Sequence, residues 1–100
     1  MATAPPIDIV HNVDAHRFEA VVDGGFARCD YRRVGNVLQI HHTEVAVALE
    51  GRGIAGQLVA AALEHARARG LKVAPYCSYV RSYMRRHPET LALLAPGQAV

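Results

Sequence analysis

The sequence predicts an α+β fold, in which an antiparallel meander precedes a strand–helix–strand–helix unit. Three observations predict it. Apolar and polar residues alternate through the first half, with Gly24-Gly25 and Gly35-Asn36 as breaks. The period then changes, so that Ile54, Leu58, Ala62 and Ala66 recur at every fourth position with Val59 and Leu63 beside them. A short apolar run, "LKVAPYC", follows that helical stretch.

Each element has a local reason. "RFEAVVD" (17–23) alternates and meets two glycines, which makes it a strand entering a tight hairpin. "FARCDYRRV" continues the alternation as the return strand. After Gly35-Asn36, "VLQIHHTEVAVAL" gives a long strand over 37–49, with a bulge or short turn allowed near His42-Thr43. The helix then runs to Arg67 and Arg69, cations that suit its C-terminal dipole, and Gly70 stops it. "LKVAPYC" returns after a helical crossover, so it should pair in parallel with the strand before the helix. Ser78 is placed to cap a second helix, which must end near His87 because Pro88 follows. "PETLALL" adds a further helical turn or two. Pro5 and Pro6 mark residues 1–6 as a flexible leader, 7–95 as one domain and 96–100 as a loose tail.

Composition narrows the function classes. A chain of 100 residues holds one core. No apolar run reaches the length of a membrane span, and "MATAPPIDIV" lacks the cationic start and apolar core of an export signal. The expected location is therefore cytoplasmic, with Cys29 and Cys77 as reduced thiols. A net charge of +2 gives no reason to invoke nucleic acid, and "RSYMRR" reads as a solvated helix face. His41 and His42 are strand neighbours pointing oppositely, with no suitably spaced partner, so no metal site is expected. Exposed strand edges in so small a sheet suggest a monomer or a weak homodimer.

The most informative stretch is "EGRGIAGQL" (50–58). Gly51, Gly53 and Gly56 crowd the start of a helix, where each costs about 0.5–1 kcal/mol against alanine within a helix interior. No Ser, Thr, Asp or Asn between 51 and 56 caps the free amides. Uncapped amides, the positive end of the helix dipole and the Arg52 cation together make an anion site suited to phosphate.

A strand "HTEVAVAL", the loop "EGRGIA" and a helix of about four turns resemble the acetyl-CoA loop of the GNAT superfamily of N-acetyltransferases, usually written Q/R-x-x-G-x-G/A. Gly53 and Ala55 fill its last two positions. Glu50 replaces the usual Gln or Arg, and should point outward or pair with Arg52. The stretches "RFEAVVDG", "HTEV", "EGRGIAGQLVAAALEHARARGLKV" and "PYCSYVRSYMRRHPE" resemble a small GNAT-like subgroup of about this length. The resemblance implies acetyl-CoA as co-substrate and a truncated GNAT-like fold, with the arm of the cofactor between two splayed parallel strands. It places Val45, Ala46 and Val47 along that arm, with the Val45 amide on the acetyl carbonyl. The phosphates then fall on Arg52, Gly53, Ile54, Ala55, Gly56 and Gln57, and Ser78, Tyr83 and His87 approach from the second helix.

Acetyl transfer needs a proton acceptor for the amine and a proton donor for the leaving thiolate. Glu44 adjoins the acetyl position and is the expected base, as a partly buried carboxylate; His42, on the same strand face, is second. Tyr83 can return a proton to sulfur, and Tyr79 one turn earlier reads as packing or substrate wall. Cys77 ends one strand just before a helix N-terminus, a setting that favours thiolate, so it is either an acyl-carrying nucleophile or a small buried hydrophobe. Cys29, mid-strand, reads as structural. Two functions follow: an acetyl-CoA-dependent N-acetyltransferase acting on an amine, either a small molecule or an exposed lysine, or a CoA-binding module without turnover.

Overall fold

The computed structural model describes residues 5–100. Five strands form one sheet: β1 (Val10–Asn12), β2 (Arg17–Val22), β3 (Gly25–Val34), β4 (Val37–Val45) and β5 (Lys72–Pro75). They lie side by side in chain order. Neighbours from β1 to β4 are antiparallel, whereas β4 and β5 are parallel. Helix α1 (Ile54–Arg69) makes the crossover between them, and α2 (Ser78–Arg86) follows β5. Short 3-10 turns stand at Val47–Leu49 and Pro88–Leu93. This is the expected α+β architecture. Of the expected leader, residues 1–4 lie outside the described residues.

The alternation decides which side of the sheet is covered. Phe18, Ala20, Ala27, Cys29, Tyr31, Leu38 and Ile40 turn to one side and are buried. Against them α1 sets Ile54, Leu58, Ala62 and Ala66, and α2 contributes Val80 and Met84 to the same core. Leu58 and Met84 have no exposed surface; burying side chains of this size contributes about 1.5–3 kcal/mol each. The opposite side carries Arg28, Asp30, His42 and Glu44, and Arg28 pairs with Glu44 across the ladder.

Three strand expectations change. β1 is an addition: its three residues carry too little pattern to announce a strand, and pairing with β2 makes it one. The long strand predicted over 37–49 ends at Val45. Ala46 N–H closes the ladder on Phe26 O, and since β3 begins at Gly25 no partner remains beyond it. The chain instead turns at Val47–Leu49 and buries Leu49, whose Cδ1 would stand 2.9 Å from a Cβ on Gly25. The last strand, predicted over 71–77, spans only Lys72–Pro75, because the next two amides swing inward. The bulge expected near His42-Thr43 falls one residue earlier: Asp30 pairs with His42 and Tyr31 with Ile40, leaving His41 unopposed.

Candidate functional site

The site begins where β4 and β5 part. Their parallel pairing runs from Val37–Lys72 to Ile40–Pro75 and stops. Tyr76 N–H and Cys77 N–H both donate to Ile40 O, at 2.9 and 3.1 Å, so one carbonyl terminates the pairing. Beyond it β4 continues alone. Because Ala46 N–H points to β3, strand alternation turns the Val45 amide the other way, into the opening. Of the three expected backbone contacts, Val45 therefore faces the gap. Ala46 has its amide engaged by Phe26, and Val47 is exposed in the turn, its carbonyl accepting from Glu50 N–H.

The glycine loop lies at the mouth of this opening. Gly51 and Gly53 have φ of 79° and 75°, the left-handed region that side chains disfavour. Gly53 is the N-cap of α1 and supplies no side-chain hydrogen bond; the first helical bond is Gln57 N–H to Gly53 O. The amides of Ile54, Ala55 and Gly56 consequently have no partner within the helix. A cleft of about 270 Å³ runs between this loop and α2, lined by Val45, Gly53, Ala55 and Tyr79 among others. Gly56 faces α2, and a Cβ there would lie 3.5 Å from Tyr79 Oη and 3.9 Å from Tyr83 Cε2.

Of the two arrangements expected for Glu50 the structure has the outward one: Glu50 is exposed, and Arg52 pairs instead with Asp23 of the β2–β3 turn at 2.9 Å. Gln57 is engaged elsewhere: its Nε2 donates to Pro5 O at 2.8 Å and its Oε1 accepts from Ile7 N–H at 3.0 Å. Ser78 is not the cap of α2. The helix starts one residue earlier, with Cys77 O accepting from Arg81 N–H, so Cys77 is the N-cap and Ser78 the exposed first turn.

Glu44 is exposed, its side chain 59% accessible, instead of partly buried. It lies on the side of the sheet that neither helix covers. His42 Nε2 is 3.3 Å from Glu44 Oε1, and Arg28 Nε lies 3.7 Å from the other oxygen. Cys77 is half-buried in the opening, its Sγ 3.6 Å from Thr43 Oγ1 on the facing strand. Arg81, one turn into α2, directs Nη1 to the Pro75 carbonyl at 2.9 Å. Burial pushes the Cys29 thiol up to about 12, against an opposing hydrogen bond from Thr43, so this cysteine is unreactive. Tyr83 stacks flat on His87 with centroids 3.9 Å apart, and His87 Nδ1 bonds Tyr83 O at 2.8 Å, so His87 closes the C-terminus of α2. Burial raises the Tyr83 phenol above its ordinary value; Glu89 and Tyr79 add to this and Arg86 opposes it. The phenol keeps its proton. Thr43 and Asp23 were not among the expected residues, and only the tertiary pairing reveals them.

The site is thus a parallel strand pair that opens beside a glycine-started helix with no side-chain cap. Residues 17–93 match the family model described as GCN5-related N-acetyl-transferase, and the chain belongs to this family. It is 34% identical over 86 residues to Protein NATD1 of Gallus gallus and of Mus musculus, covering 83% of this chain and 78% of each relative. A solution structure of a candidate GCN5-like N-acetyltransferase from Staphylococcus aureus matches with a TM-score of 0.71 at 27% identity, over 89% of this chain and 88% of the other.

Proposed function

We propose that this protein is an acetyl-CoA-dependent N-acetyltransferase, moving an acetyl group to an amine on a small molecule or an exposed lysine. The observation that carries the reading is the parting of β4 from β5 after Ile40, which turns the Val45 amide into an opening beside the uncapped start of α1. The amides of Ile54, Ala55 and Gly56 suit the pyrophosphate, with Arg52 as a nearby cation once it leaves Asp23. The Val45 N–H is aimed to polarise the acetyl carbonyl.

In direct transfer the amine nitrogen bonds the acetyl carbon, the carbon–sulfur bond breaks, and the amine proton passes to Glu44 through water. Tyr83, protonated, supplies the proton that the thiolate needs. Holding both reactants in one opening favours this single step. A second route is supported by the position of Cys77, half-buried in the opening opposite Thr43. There Sγ takes the acetyl group, CoA leaves as the thiol, and the amine then receives the acetyl from sulfur. The protein is read as cytoplasmic, and as a monomer or weak homodimer.

The test is thiol release from acetyl-CoA across a panel of amines, run beside calorimetric binding. Release with Glu44→Gln impaired and Cys77→Ala largely active supports direct transfer. An acetyl mass on Cys77 without acceptor, labile to hydroxylamine and lost with turnover in Cys77→Ala, establishes the relay instead. Binding without release for any amine identifies a CoA-binding module.

A further inference from the structure

Far from the opening, at the C-terminal end of α1, the structure gathers a second group of functional side chains. A 16-residue helix is about 24 Å long, so this end lies well away from the glycine loop. A cleft of about 460 Å³ is lined there by His11 of β1, His16 of the β1–β2 turn, Tyr31 and Arg33 of β3, and His65 and Arg69 of α1. None of these residues lines the cleft beside the glycine loop.

The arrangement is ordered. His11 lies flat on Phe18, with ring centroids 4.2 Å apart and an interplanar angle of 11°. Its Nε2 is 2.6 Å from Tyr31 Oη, and His65 meets it edge-on at 4.5 Å. Tyr31 is buried, so the hydrogen bond fixes the imidazole from below. Arg33 has Nε committed to Gly35 O, which orients its guanidinium without neutralising it. Among the described residues neither Arg33 nor Arg69 forms a salt bridge, and Asp14 is the one carboxylate on the cleft wall. Gly70 N–H and Leu71 N–H bond the Arg67 and Ala66 carbonyls, which takes up part of the negative end of α1, and the cations of Arg33 and Arg69 outweigh what remains.

We propose that this cleft is a binding site for a small phosphate-bearing molecule, held by Arg33 and Arg69 with the imidazoles of His11, His16 and His65 as further donors. Two guanidinium groups beside three imidazoles offer more donors than a single carboxylate can accept and match the several oxygens of a phosphate. Val13 and Leu38 give the cleft an apolar portion for the rest of such a molecule. Titration supports the geometry. His11 is held below the ordinary histidine value by burial, then by His65 and Arg69; His65 by burial, then by Arg69 and Arg33. Asp14 and His16 of the β1–β2 turn, Arg33 of β3 and Arg69 of α1 complete the charges facing this pair, Asp14 being the single acid. An anion between them cancels the repulsion, so binding draws a proton onto the pair and tightens as pH falls.

The test uses the full chain and inorganic phosphate, with acetate as control, followed by backbone amide and histidine ring resonances at about pH 5.5 and pH 7.5. Saturable shifts at His11, His65 and Tyr31 are expected, stronger at the lower pH, while His41, His42 and His87 stay in place. Arg69→Gln and Arg33→Gln, both at exposed positions, should each weaken phosphate by about tenfold, as expected for one lost charge-assisted contact. Shifts confined to residues 51–56, equal shifts at all six histidines, equal potency of acetate, or indifference to both arginine substitutions would each overturn the proposal.

Discussion

Replacing Gly56 by alanine should move stability and ligand binding in opposite directions. Gly56 is the third residue of α1, with a helical backbone that alanine adopts without strain. Its new Cβ would lie 3.5 Å from Tyr79 Oη and 3.9 Å from Tyr83 Cε2, ordinary contact distances that displace nothing. Relief of glycine's entropy cost should stabilise the fold by about 0.5 kcal/mol, at the low end because the position is in the first turn. In a domain this size that raises the melting temperature by about 2–4 °C. The same methyl fills the space between the helix start and the Tyr79 hydroxyl. A chain of atoms passing there needs about 3.5–4 Å from each wall, so Tyr79 swings aside on binding in either protein, and the methyl lengthens that displacement by about 1.5 Å. Acetyl-CoA affinity should fall about tenfold, or about 1.4 kcal/mol. Thermal unfolding by circular dichroism and calorimetric titration read the two effects separately. A higher melting temperature with unchanged affinity would refute the routing of the ligand past Gly56. A lower one would refute the packing argument itself.

Other substitutions and pH probe the same structure from different sides. Asp23→Asn should release Arg52 and tighten acetyl-CoA several-fold, while chemical denaturation shows a change within about 0.5 kcal/mol because that ion pair is exposed. Arg52→Ala should weaken binding about fivefold by the same calorimetry. Leu58→Ala, at a fully buried position, should cost about 2–5 kcal/mol in urea unfolding. Because His11 and His65 are depressed in the folded state, the unfolded chain binds more protons as pH falls below about 6.5. The stability they contribute at neutral pH should therefore diminish through their folded values, and a urea series over pH in dilute chloride should show that decline.

What was legible in the sequence was the part governed by neighbouring residues. The β2–β3 hairpin follows from alternation meeting Gly24-Gly25, and α1 from its four-residue period ending at Gly70. The uncapped helix start was legible too, since it depends only on which residue types stand between 51 and 56. Strand ends were not. Val45 terminates β4 because Phe26 lies opposite Ala46, a fact of register rather than of composition. Side-chain partners were equally hidden: Gln57 holds Ile7, fifty positions away, and Arg52 turns to a hairpin aspartate. Glu44 is exposed because neither helix covers its side of the sheet, which nothing near residue 44 encodes.

Strand order in this sheet is also chain order, and that has a kinetic consequence. Each hairpin from β1 to β4 closes locally, so the meander can form early with little loop-closure cost. The distant pairing is left to β5, joined through four register positions at the sheet's edge. Hydrogen exchange should reveal two tiers: slow amides in β2, β3 and the first half of β4, and faster opening from Lys72 onward. The C-terminal wall of the opening can then detach while the N-terminal wall stays paired. Under the proposed function, ligand entry would then be a hinged event set by the opening of β5.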